Sequence, residues 1–214
     1  SSLLRARSFA VILVLMFCAG AAETAMSQWS SLFAEQGLGL PKLVGDLFGP
    51  CLFAACMGAG RVWQGLSFRE EQGGRILIAG AVLCGICYML TAFSPWPWLS
   101  LSACAVCGLG AGILWPGVLN LACARFPGAG TALFGILEIC GDVGSAVGPA
   151  AAGFISETAG LSAGLWAASL FPVLMPGLLL LWHKAQKPYS RKKAIDEKPL
   201  CGYNSSRYRE ELDR

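Results

Sequence analysis

The sequence predicts an all-α integral membrane protein of six transmembrane helices. Three observations lead there. Only 14% of the residues are charged and 55% are hydrophobic, where a globular domain in water carries roughly 25% charge. Of the 29 Asp, Glu, Lys and Arg residues, 14 fall in the last 31 positions, from Lys184 onward. The remainder has too little charge to cover a surface, so its outer face must meet lipid. The apolar runs also come in lengths near the ~20 residues that span a bilayer. A soluble enzyme is excluded on these grounds. The net charge of +3 sits in loops and tail and is no nucleic-acid footprint.

The spans are expected at about 9–33, 44–62, 75–93, 97–122, 131–155 and 161–182, forming one bundle over 1–183. A polar, cytoplasmic and disordered tail follows over 184–214. The first span follows Arg5 and Arg7, and its start imitates a signal peptide. Its apolar character resumes after Glu23 and reaches Phe33, which is too long for one. The second opens with Gly45, Asp46 and Pro50. The third and sixth enclose no ionisable residue and are expected to face lipid. Cys84 and Cys87 in the third, and Cys104 and Cys107 in the fourth, form CxxC pairs. Zinc pairs of that spacing sit in polar knuckles, whereas these lie in uncharged apolar runs and read as small hydrophobes. No metal or cofactor is expected. In the fourth, Gly108, Gly110 and Gly112 predict close packing, Trp115-Pro116 predicts a kink, and Asn120 adds a polar group. Trp29, Trp96, Trp98 and Trp182 lie near span ends, as an aromatic belt requires.

Charge placement orients the bundle. With the N-terminus inside, the inside segments hold Arg5, Arg7, Arg61, Arg69, Arg75, Arg125 and nine Lys or Arg of the tail, and the outside loops hold only Lys42. So lopsided a split predicts both termini in the cytoplasm.

An acid inside a membrane costs several kcal/mol and marks a functional site by default. Glu23, Glu138 and Asp142 are the clear cases. At 100° per residue Glu23 shares a stripe with Gly20, Ser27 and Ser30, and no basic residue is expected at its depth. Thr131, Gly135, Glu138, Asp142, Ser145 and Pro149 share one face of the fifth span. The bland reading is that these acids hydrogen-bond across helices or lie at helix ends. The sharper one is a polar cavity near the midplane, a substrate and proton pathway of Glu23, Ser27, Gln28, Trp29, Trp115, Asn120, Glu138 and Asp142. Gly141, Gly144, Gly148 and Pro149 read as helix-packing positions.

The run Gly141-Asp142-Val143-Gly144-Ser145-Ala146-Val147-Gly148-Pro149, with Gly153, resembles the eleventh helix of major facilitator superfamily transporters. The stretch from Gly58 through Arg61 and Gly65 to Arg75 resembles that superfamily's cytoplasmic signature loop, with Gly60 where an Asp is expected. The closest likeness is to bacterial sugar-permease-like members. The resemblance implies the C-terminal half of a twelve-helix fold, built as a 3 + 3 inverted repeat. It implies a secondary transporter in the cell membrane, proton-coupled, moving a small polar solute such as a sugar. Substrate binds between the halves in that family, so the missing N-terminal six-helix half or a partner subunit is implied. The Ser1-Ser2 start, without Met, agrees with a fragment. The alternative is a truncated or non-transporting membrane protein acting as an interaction partner. An intramembrane protease is disfavoured: Ile139 stands where a Gly-x-Gly-Asp motif needs Gly, and His183 is the sole histidine.

Overall fold

The computed structural model describes residues 2–67, 73–126 and 130–182. The chain divides into two units, Ser1–Leu179 and Leu180–Arg214, and the packing below is that of the first. The expected tail over 184–214, Arg69 and His183 lie outside the described residues.

Among the described residues, six helices are long and apolar enough to cross a membrane: α1 (Arg7–Gly37), α2 (Lys42–Leu66), α3 (Gly73–Phe93), α4 (Pro97–Arg125), α5 (Gly130–Ala159) and α6 (Leu161–Trp182). No strand occurs among the described residues. In lipid every backbone N–H must find its carbonyl within the segment, and long apolar runs therefore settle as helices. The connections that are described are short. Gly39 at φ 67° lets the chain leave α1, and Pro41 precedes α2 as its N-cap. Pro97 occupies the first turn of α4, where its missing N–H is no loss. Gly160, at φ 91°, is all that separates α5 from α6. The end of α1 (Phe33–Gly37) and a turn of α2 (Leu47–Cys51, holding Pro50) widen to π-helical geometry. Proline offers no N–H to the regular ladder, so such a register shift beside it is expected.

α4 is the centre: 72% of an 18-residue apolar stretch of it is buried, against 56% for α1, 50% for α3 and 39% for α6. α2 and α5 are the least covered, at 22% each. α3 and α6 nonetheless keep an apolar outer face, with Val82, Ile86 and Leu90 exposed on the one and Leu170 and Leu174 on the other. α3 fills a full seam against α4, because small residues lie along both. Thr91 and Ser100 exchange hydroxyl-to-carbonyl bonds across it, and Cys84 donates to the Cys107 carbonyl. A Cβ on Gly110 would lie 2.7 Å from the Gly80 carbonyl oxygen. These cysteines are free thiols packed as small hydrophobes.

Two further seams rest on missing side chains. Gly108 and Gly112 put their Cα atoms against the backbone carbonyls of Phe53 and Met57 on α2. Gly144 lies against the Phe17 carbonyl, and a Cβ on Gly148 would lie 2.6 Å from that of Ala21. The pairing advances in the same direction along both chains, so α1 and α5 run parallel, as do α2 and α4. This is small-xxx-small packing, in which missing Cβ atoms bring backbones into contact. Tyr88 is fully buried, and its hydroxyl donates to the Ala22 carbonyl at 2.6 Å, tying α3 to α1.

Candidate functional site: a charged cavity inside the bundle

Glu23 lies in the middle third of α1, and Arg61 lies in the last third of α2. The Arg61 guanidinium donates to both Glu23 carboxylate oxygens, at 3.3 and 3.4 Å. The pair is the wall of a cavity of about 650 Å³. Gln64 and Gly65 continue that wall along α2, and Trp115, Pro116 and Asn120 of α4 form the opposite side. The spacing explains the convergence: positions 61, 64 and 65 share one helix face, as do 116 and 120. The glycine at 65 has no atom within 4 Å of where a Cβ would stand, so it widens the cavity.

Trp115 joins this wall to α5. Its indole Nε1 donates to Glu138 Oε1 at 3.3 Å, and a Cβ on Gly141 would lie 2.6 Å from its ring. Gly141 thus makes room for an aromatic plate. Glu138 is reached from the cavity through Trp115 and does not line it. Asp142 is exposed on α5.

The sequence-predicted pathway is therefore divided. Glu23, Trp115 and Asn120 are brought together. Trp29 is a peg between helices: it donates to the Pro149 carbonyl at 3.0 Å and packs over Gly153. Ser27 is half-buried, and Gln28 is exposed away from the cavity. On α5 the polar face splits: Pro149 is buried and Ser145 half-buried against α1, while Glu138 and Asp142 stay exposed.

The expectation that Glu23 lacks a basic neighbour is overturned: Arg61, near the end of the expected second span, reaches Glu23 across the packing of α2 beside α1. Gln64 was missed because α2 runs on as helix past Val62, to Leu66. The signal was present in the i, i+3, i+4 spacing of Arg61, Gln64 and Gly65. A further acid, Asp46, accepts from the Ser31 hydroxyl near the opposite end of α1 and α2.

The Major Facilitator Superfamily profile matches residues 1–133 and 73–207. The chain belongs to that superfamily. Comparison with curated proteins finds no match. Membership makes this a multi-pass membrane protein of a transporter family, with six apolar helices in the all-α arrangement described. Within the superfamily frame, the stretch read as a signature loop needs correcting. Gly58, Arg61 and Gly65 are helical residues of α2, and Arg75 stands in the first turn of α3. Residues 68–72 between them lie outside the described residues. Gly58 is exposed with nothing within 4 Å, whereas a Cβ on Gly60 would lie 2.5 Å from the Leu109 carbonyl oxygen. The glycine where the family pattern expects Asp is therefore where α2 touches α4.

Proposed function

We propose that the chain acts as one six-helix half, spans seven to twelve, of a proton-coupled secondary transporter. It moves a small polar solute, such as a sugar, across the cell membrane by alternating access, with both its termini in the cytoplasm. The observation that carries this reading is the Glu23–Arg61 pair on the wall of a cavity shared with Trp115 and Asn120. A carboxylate in the middle of an apolar helix is costly without a partner or a task. Here its partner stands on another helix. Protonation of Glu23 removes the attraction that links α1 to α2, and deprotonation restores it. A proton taken up on one side and released on the other then biases two arrangements of these helices, which is what coupling requires. The exposed acids Glu138 and Asp142 on a thinly covered α5 support a second bundle facing that side, since charge does not face hydrocarbon.

The test is uptake of labelled hexoses into proteoliposomes holding this chain with its partner half, driven by an inward proton gradient. Glu23→Gln is expected to abolish gradient-driven uptake and to leave solute exchange at equilibrium measurable. Undiminished gradient-driven uptake by the variant removes Glu23 from the coupling step.

A further inference from the structure

Gln64 is only 4% exposed, and its Oε1 is buried with no hydrogen-bond partner among the described residues. A buried acceptor left unmade is costly, and in native structures such groups are few. Packing alone does not require an amide here. The residue borders the cavity, one helical turn beyond Arg61. Its Nε2 lies 3.5 Å from where a Cβ of Gly117 would stand, so the absence of a side chain at 117 makes space for the amide.

The surrounding chemistry narrows what the acceptor awaits. The cavity's two ionised side chains, Glu23 and Arg61, are bonded to each other. A solute bearing a full charge would leave one charge in the site without its opposite, which disfavours it against a neutral one. Asn120 offers a second amide and Trp115 an aromatic surface on the facing wall. The volume, about 650 Å³, falls in the range of small-molecule sites. We infer that Gln64 reads the solute: its Oε1 accepts a hydrogen bond from one hydroxyl of an uncharged, polyhydroxylated molecule held beside the Glu23–Arg61 pair. This rests on the proposal above only in requiring that a solute enters the cavity.

The test is calorimetric titration of the chain, assembled with its partner half, in lipid nanodiscs. The probes are D-glucose and D-galactose, their monodeoxy derivatives, and glucuronate and glucosamine as charged counterparts. At least one neutral hexose is expected to bind, with the acid and the amine at least tenfold weaker. One deoxy derivative is expected to lose about tenfold, the size of one hydrogen bond to a buried acceptor. Gln64→Met, which keeps the length without the acceptor, should weaken the parent hexose by the same factor and bind that deoxy derivative no worse than the unaltered protein does. Gln64→Glu, which keeps an acceptor in place, should still single out the same hydroxyl, and this variant carries the test if Gln64→Met fails to fold. Parent binding undiminished in Gln64→Met, an equal loss for every derivative, or lost discrimination in Gln64→Glu overturns the inference and leaves the cavity a solute site. Absence of binding by every probe to the unaltered assembly of both halves removes the solute reading of the cavity and the inference together.

Discussion

Residues of one type do opposite things in this bundle, and glycine makes the point most cleanly. Gly144 stands where its Cα meets the Phe17 carbonyl, so any side chain must push α5 off α1. Gly144→Val is expected to cost about 2 kcal/mol, in the range of overpacking a filled seam, and to lower the unfolding temperature of the detergent-solubilised protein. Gly58 is exposed with nothing within 4 Å. Gly58→Ala is expected to be neutral or to stabilise by about 0.5 kcal/mol, through helix propensity. The sequence singled out both. Periodicity marks a small-residue face, but only the partner helix decides which glycines touch. The same limit hid Arg61: a basic residue near a span end reads as loop, and only the placement of α2 beside α1 brings it to Glu23.

At the scale of helices, the seams are governed by where backbones can approach. α4 became the hub because it carries small residues on more than one side: Gly108 and Gly112 toward α2, Gly110 toward α3. The six apolar runs were legible, since lipid forces unbroken helices of known length. Which helices would be buried was not. The uncharged third span presents one apolar face outward and still places a fully buried Tyr88 against α1. Apolar sequence inside a membrane does not distinguish a lipid contact from a protein contact, as both are apolar surroundings. Tyr88→Phe keeps the ring and removes the bond to the Ala22 carbonyl. Interhelical bonds in membranes average about 0.6 kcal/mol, and a loss of that size is expected in the thermal unfolding of the solubilised protein. A much larger loss would mean that the hydroxyl orders more than one seam.

For the whole molecule, the even number of crossings and the charge split act together. Reporter fusions at the two ends are expected to signal from the same face of the membrane, the cytoplasmic one. Signals from opposite faces would require a different count of spans. The candidate site was partly legible: Glu23, Trp115 and Asn120 stood out as polar or aromatic groups in apolar runs. Gln64 did not, because it lies where the second span was expected to have ended. The central claim is that two opposite charges, far apart in sequence, hold each other inside one cavity of a membrane bundle. Its most direct test is a double-mutant cycle on thermal stability in nanodiscs, with Glu23→Gln, Arg61→Gln and the two combined. Arg61 is 46% exposed at its side chain, so a discounted coupling of about 1 kcal/mol is expected, with the double variant more stable than the sum of the single losses predicts. Strictly additive losses would contradict the account.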